Sequence, residues 1–362
     1  MTNWFPDKER GTAWGTWNIS HNIGGGLAPL VAGTASKLGW RYGMWIPGLI
    51  GIVIASLCFY GTKTSPESIG LASAESFGKS PEVNYTSKRP GYSHTDDANL
   101  QNGDRTGTST IDPNELPNKT LPETEMGSSA SIIDIFTSPK IILLALSYFF
   151  LHIVRQGVSS WSSLYFVQKK GVDVAHASVI LSGFELGGLI GSFVLGKVSD
   201  LMIKNSIDTK TSSSIDGDAG YVGKRIKISL VYLCLLVAML LALYNSPKVS
   251  NLNTHCLNWI IVAMLGFALY GPQMSIGLIG AEIVPKKLVG ASQGFLGIVA
   301  YTGAAYAGVP LAINLQQHGW EWIFNFMIVC TCMTGMLLSP LWNAKSFAQT
   351  DPNMFKKRNA IR

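Results

Sequence analysis

The sequence predicts an all-α protein that crosses a membrane many times, and three observations carry that expectation. Only 14% of the 362 residues are charged while 47% are apolar, where a soluble domain carries about 25% charged residues. The apolar residues fall in blocks of about 20, the length that spans a hydrocarbon core at 1.5 Å rise per residue. Many of the 38 glycines lie inside those blocks, as in Gly24-Gly25-Gly26, Gly187-Gly188 and Gly191. In a soluble helix each would cost about 1 kcal/mol relative to alanine; in a membrane, small residues let helices approach closely.

Eight blocks can be delimited, near residues 12–36, 42–60, 140–167, 174–199, 226–244, 257–284, 291–315 and 322–341. One or two such blocks could be buried core helices; eight could not. A polar stretch at 63–137, rich in Ser, Thr, Asn, Asp, Glu and Pro, separates the second block from the third. It has neither helical nor strand periodicity and is expected to be a disordered linker. A second polar insert, 204–225, separates the fourth block from the fifth. The expected organisation is two spans in 1–62, the linker, six spans in 138–345 and a polar tail at 346–362.

The net charge of +6 does not point to nucleic acid, because the basic residues are scattered among membrane-flanking loops. Positive-inside bias accounts for them. With residues 1–10 in the cytosol, the linker, the insert, Lys286-Lys287 and the tail share that side, which then holds 22 of the 28 basic residues. The opposite side holds Lys37, Arg41, Lys169, Lys170 and Lys248, and Arg155 is left inside a span. The glycosylation sequons at Asn84 and Asn118 fall in the cytosolic linker and should be unused. The five cysteines show no metal-ligand or redox spacing and read as packing residues. No catalytic triad, phosphate-binding loop or paired metal ligands occur, so enzyme chemistry, cofactors and metals are not expected. The bilayer is the expected surrounding, and nothing indicates a protein partner.

The first and last spans resemble each other. Pro6-Asp-Lys-Glu-Arg-Gly11-Thr-Ala-Trp-Gly15 aligns with Pro285-Lys-Lys-Leu-Val-Gly290-Ala-Ser-Gln-Gly294, and Gly24-Gly25-Gly26 with Gly303-Ala304-Ala305. After one inserted residue, Leu38-Gly39-Trp40-Arg41 falls on His318-Gly319-Trp320-Glu321. Two six-helix repeats in parallel would produce this. Four spans precede the motif in the second repeat and none in the first, so four helices are expected upstream: eight helices present of an expected twelve.

Within the spans, Arg155 stands out, because a cation near mid-membrane costs several kcal/mol on most scales and usually faces a cavity and an anion. A guanidinium suits phosphate through bidentate, charge-assisted hydrogen bonds; the alternative is an ion pair with Glu185 in the next span. His21 could be a hydrogen-bonded packing residue, but Asn18, Ser20 and Asn22 beside it suggest a wet cavity wall. Glu185 could serve as counter-ion, gate or proton site. Tyr270-Gly271-Pro272-Gln273 interrupts its span, as hinge or static kink. Trp161 and Tyr165 could stack on a sugar ring, although such aromatics are more often lipid-belt residues. Gly196-x-x-x-Asp200, followed by Gly223-Lys-Arg225, reads as a conformational loop motif. Asp200 would end a helix there and pair with Arg225 or cap a neighbouring helix, the alternative being a solvated loop acid.

Several strings are similar to the organophosphate:phosphate antiporter family of the major facilitator superfamily. They are Lys8-Glu9-Arg10-Gly11-Thr-Ala-Trp, Trp17-Asn18-x-x-His21-Asn22-x-Gly24-Gly25-Gly26, Val154-Arg155-x-Gly157 with Trp161, Phe184-Glu185-x-Gly187-Gly188, and Tyr270-Gly271-Pro272-Gln273 with Pro285-Lys286-Lys287. The resemblance covers nearly all spans but neither the linker nor the insert. It implies exchange of a sugar phosphate for inorganic phosphate, with Arg155 and His21 matching two of three phosphate-binding positions. The third, a first-helix arginine, would lie upstream. Phe166-Val-Gln-Lys-Lys-Gly171 and Phe184-Glu-Leu-Gly-Gly-Leu-Ile-Gly191-Ser are most similar to the hexose-phosphate and glucose-6-phosphate branch, and the long linker favours an endoplasmic-reticulum membrane, with the plasma membrane as the alternative. A phosphosugar sensor of the same fold, or a form that does not transport, is the alternative.

Overall fold

The computed structural model describes residues 3–6, 9–63, 65–71, 132–209 and 220–350. The bulk of the linker with its expected disorder, both sequons, the middle of the second insert and the end of the basic tail lie outside the described residues. Among those described, regular structure is helical throughout. The helices are α1 (Arg10–Ser36), α2 (Trp40–Gly61), α3 (Ile132–Thr137), α4 (Pro139–Lys170), α5 (Val174–Thr209), α6 (Tyr221–Asn245), α7 (Leu252–Glu282), α8 (Val289–Tyr306), α9 (Val309–Leu338) and the short α10 (Phe347–Thr350).

Six stretches are long and apolar enough to cross a membrane: α2, α4, the His176–Asn205 part of α5, α6, α7, and Lys286–Leu341, whose 56 residues hold both α8 and α9. α1 has the length, at 27 residues, but its polar turn at 18–22 dilutes its apolar character. The protein is a multi-pass membrane protein.

Several expected boundaries move. The second insert is shorter than 204–225, because α5 continues to Thr209 and α6 begins at Tyr221. The apolar pattern extends past Asp200: Ile203 is fully buried and holds that turn against the bundle. Asp200 therefore lies inside α5 rather than at its end, and Gly223-Lys224-Arg225 forms the first turns of α6 rather than a loop. The end of the linker is ordered too, since α3 buries Ile135 beside Ile141 and Val284 and sets Phe136 edge-on to Phe295. α7 runs unbroken through Pro272. The seventh span is not continuous: α8 stops at Tyr306, and its continuation is joined to α9, which kinks at Gly319. The φ of 76° there is the left-handed region that glycine adopts without strain.

The tightest seam joins α5 to α7. A Cβ placed on Gly187 would lie 1.8 Å from the Ala263 carbonyl oxygen, and one on Gly191 2.2 Å from that of Phe267. Gly266 reciprocates, 2.0 Å from the carbonyl oxygen of Phe184. Spacings of four put Gly183, Gly187 and Gly191 on one helix face, and the missing side chains bring the backbones together. α1 meets α5 in the same way, with a Cβ on Gly196 falling 2.4 Å from the Gly11 carbonyl oxygen and one on Gly15 2.9 Å from that of Ser192. By contrast, Gly290 and Gly294 of α8, the repeat counterparts of Gly11 and Gly15, have open space before them. α2 buries none of its residues. It carries Trp40, Tyr42 and Trp45 at one end and Phe59 and Tyr60 at the other, the spacing of two interfacial belts.

Candidate functional site

The helices bring polar side chains together at two levels, one in mid-span and one at the strongly basic face. At mid-span, α4 presents Tyr148, His152 and Arg155 on one face, at spacings of four and three residues. Arg155 Nη2 lies 2.6 Å from His21 Nε2 on α1. A guanidinium only donates, so His21 Nε2 is the acceptor and its ring is neutral, with the proton on Nδ1. On the other side the Arg155 guanidinium sits 5.2 Å from the Tyr270 ring centroid, within cation–π range. The Tyr270 hydroxyl donates to Glu185, lying 2.9 and 3.0 Å from its two carboxylate oxygens.

The alternative of an Arg155–Glu185 ion pair is therefore not formed. Tyr270 stands between them, engaging Glu185 with its hydroxyl and Arg155 with its ring face. No carboxylate among the described residues lies within ion-pair distance of Arg155.

The other expected residues are distributed unevenly. Gln273, one turn past Tyr270, and Asn18, one turn before His21, keep buried polar atoms without a partner, Oε1 and Nδ2 respectively. Such atoms are nearly always satisfied in a folded protein, so these are open valences flanking the Arg155–His21 pair. The side chain of Asn22 lies outside the described residues. Trp161 turns away from Arg155 and donates to the Ala307 carbonyl at 2.8 Å, capping the end of α8. Tyr165 lines, with Trp161 and Gly157, a small cavity bordered by Met327. It is buried against Trp320 and Phe324, with its hydroxyl 3.3 Å from the Leu243 carbonyl.

Sequence reasoning missed Tyr148 and His152, although their spacing from Arg155 was readable. It also missed a polar corner around Gly277. A Cβ there would lie 3.9 Å from Trp14 Nε1, 3.9 Å from Gln293 Oε1 and 4.0 Å from the Tyr148 hydroxyl.

At the basic face the loop motif assembles into a buried clamp. Asp200 accepts from the Gly11 N–H at 3.0 Å, the Thr12 N–H at 2.5 Å and the Thr12 hydroxyl at 2.8 Å. It thus caps α1 at the helix end where the dipole favours a negative charge. The same carboxylate takes Arg225 Nη1 at 3.2 Å, so it both pairs and caps. Arg225 also donates Nε and Nη2 to Glu282 at 3.1 Å each, and Nη1 to Ser199 at 2.6 Å. Arg10 Nη1 approaches Glu282 at 3.8 Å. Gly196 and Gly11 are where α1 and α5 cross, leaving room for nothing larger. Glu282, Arg10 and Ser199 were not foreseen, because an acid at the edge of an apolar block looks solvated in sequence.

At the opposite face Asp173 accepts from the His176 backbone N–H at 3.0 Å and from the His176 ring. The backbone bond foremost, then the ring, holds its carboxyl below the ordinary carboxylate pKa.

A carboxylate cap thus joins the two spans across which Gly11 and Gly196 touch, and a lone arginine stands in mid-span; the sequence comparison places this chain in a family. The Major Facilitator Superfamily profile matches residues 1–308. The chain belongs to the Major Facilitator Superfamily. Among curated relatives, the "Probable hexose phosphate transport protein" of Chlamydia trachomatis serovar D is 32% identical over 348 residues, 95% of this chain and 66% of the relative. The "Membrane sensor protein UhpC" of Salmonella typhimurium is 30% identical over 351 residues, 97% of this chain and 67% of the relative. The "Hexose-6-phosphate:phosphate antiporter" of the same organism is 29% identical over 354 residues, 93% and 64%. These relatives bear out the resemblance to the organophosphate:phosphate antiporter family. The chain spans just under two-thirds of the length of the first of them.

Proposed function

We propose that this protein is a secondary active transporter exchanging a sugar phosphate, glucose-6-phosphate in the first instance, for inorganic phosphate by alternating access. The observation that carries this reading is Arg155, held in mid-span by the His21 ring and the Tyr270 face without a counter-anion. A phosphate group is the anion whose geometry the guanidinium fork fits best, and two relatives are named for hexose phosphate transport or exchange.

Arg155 and His21 bind the phosphate group. Asn18, Gln273 and, by position, Asn22 border the path. Glu185 and Tyr270 hold Arg155 in place, and the Gly196–Asp200–Arg225 clamp closes the basic face, which is the cytosolic one. In that state α1 is fixed to α5 at Gly11 and Gly15, while beyond His21 it leaves the bundle: Gly24 has open space, and Ile23 and Leu27 are half exposed. The clamp thereby closes the site at the basic face. Exchange requires the clamp to release, and bound substrate offsets that cost by drawing α1 and α4 together at His21 and Arg155. The organisation into 1–62, linker, 138–345 and tail follows the two halves of such a carrier. An endoplasmic-reticulum location rests on the linker alone, and the relatives, being bacterial, lend it no support.

The test is exchange in liposomes. Protein expressed from its complete gene and loaded with phosphate should take up labelled glucose-6-phosphate only when internal phosphate is present. Uptake that ignores internal phosphate, or its absence altogether, would overturn the reading. One relative is named a membrane sensor protein; binding of glucose-6-phosphate without turnover would favour that second reading.

A further inference from the structure

We propose that His152 is the residue that reads a hydroxyl group on the organic part of the substrate. This rests on the transport reading above and goes beyond it, because it separates recognition of the sugar from recognition of phosphate.

The argument starts from a tautomer. His152 Nδ1 lies 3.0 Å from the Tyr148 carbonyl oxygen. A carbonyl only accepts, so Nδ1 carries the proton and donates it. The neutral ring then presents Nε2 as a lone-pair acceptor, and Nε2 has no partner among the described residues. The ring is held rather than free. It is 4% exposed, and it packs edge-on against Tyr148 at 4.3 Å and Tyr301 at 5.8 Å between centroids. Its position is one turn of α4 from Arg155, about 4.5 Å along the helix axis, where a group covalently joined to an Arg155-bound phosphate would sit.

The chemistry of the two candidate cargoes then divides between these residues. Inorganic phosphate at physiological pH keeps one or two P–O–H groups, but all its atoms lie within the group that the Arg155 donors hold, one helix turn from His152. A polyol or sugar supplies O–H donors, and a fixed acceptor one turn away is the complement they need. Cargo without a hydroxyl at this point forgoes that hydrogen bond and binds more weakly than cargo that has one. His152 discriminates among organic phosphates and is silent towards inorganic phosphate.

The experiment compares two exchanges in liposomes holding protein expressed from its complete gene: labelled phosphate for phosphate, and glucose-6-phosphate for phosphate. His152→Phe keeps an aromatic ring and removes the acceptor; His152→Gln places an amide oxygen near the position of Nε2. Expected is a KM for glucose-6-phosphate raised by about three- to tenfold in His152→Phe, the range of a lost neutral hydrogen bond. The KM for phosphate should stay within twofold, and His152→Gln should recover part of the loss. Among deoxyglucose-6-phosphates, one should bind wild type as weakly as glucose-6-phosphate binds His152→Phe, with no further loss in the variant. An equal rise in both KM values would make His152 a structural residue and overturn the proposal, as would an unchanged KM for glucose-6-phosphate. Wild-type protein that exchanges phosphate for phosphate but no sugar phosphate would defeat the assignment of an organic cargo. Wild-type protein that performs neither exchange would defeat the transporter reading, and this inference with it.

Discussion

Arg225 and Glu282 meet through two parallel hydrogen bonds of 3.1 Å, with side chains only 1% and 2% exposed. This fork-to-fork pair joins the start of α6 to the end of α7. Through the second carboxylate, Asp200, it reaches the first turn of α1. Removing one partner from a buried pair leaves an uncompensated charge and typically costs about 3–5 kcal/mol. Arg225→Ala should therefore lower the melting temperature in detergent clearly, and Arg225→Lys should restore little, since it keeps the charge and loses the fork. The double change Arg225→Met with Glu282→Met should be milder than Arg225→Ala alone. Equal melting temperatures for wild type and Arg225→Ala would show that the clamp contributes nothing.

Arg155 gives the sharpest functional expectation. Hydrogen bonds to charged groups are worth about 1.5–3 kcal/mol each, and about 1.4 kcal/mol is a factor of ten in affinity. Arg155→Ala and Arg155→Lys should both reduce exchange at least tenfold while abundance in the membrane stays normal. His21→Ala should reduce it less, because the neutral imidazole offers the phosphate a single Nδ1–H and no charge. Near wild-type exchange of glucose-6-phosphate by Arg155→Ala would move the phosphate site elsewhere.

The α5–α7 seam makes a structural prediction with an internal control. Gly187→Ala puts a methyl group 1.8 Å from a carbonyl oxygen, so the helices must separate and folded protein should fall several-fold by size-exclusion recovery. Gly290→Ala meets open space and should be recovered like wild type. Similar recovery of the two variants would contradict the close approach.

Orientation can be checked by glycosylation. With the basic face in the cytosol, protein made in microsomes should carry no glycan at Asn84 or Asn118. An endoglycosidase-sensitive mass shift that disappears in Asn118→Gln would invert the topology.

Much of this was legible in the sequence because membrane helices announce themselves by length and composition, and because Arg155 and His21 are conspicuous in apolar surroundings. Asp200 and Arg225 were legible as a pair, but not as members of a buried clamp. Glu282 looks solvated until α7 is known to end inside the bundle, and the length of α5 is hidden by polar residues beyond Asp200. The role of Trp161 was not readable either, since it depends on the end of α8 at Ala307; Gly308 and Pro310 mark that stop, but the apolar run continues past them. Tyr148 and His152 were overlooked for a simpler reason: aromatic and histidine residues at helical spacing look like core until the neighbouring Arg155 is known to be without a counter-anion.

The crossing of Gly11 over Gly196 has a mechanical consequence. α1 touches α5 backbone-to-backbone at that point and is held beside it by Asp200, while His21 lies ten residues further along, about 15 Å at helical rise. Such a rod has a fulcrum at one end and a grip partway along its length. A small tilt about the glycine contact moves His21 far more than it moves Thr12. Ångström-scale adjustment at the substrate is thereby geared down to a fraction of that at the latch, where a change of a few tenths of an ångström already separates a strong charged hydrogen bond from a weak one.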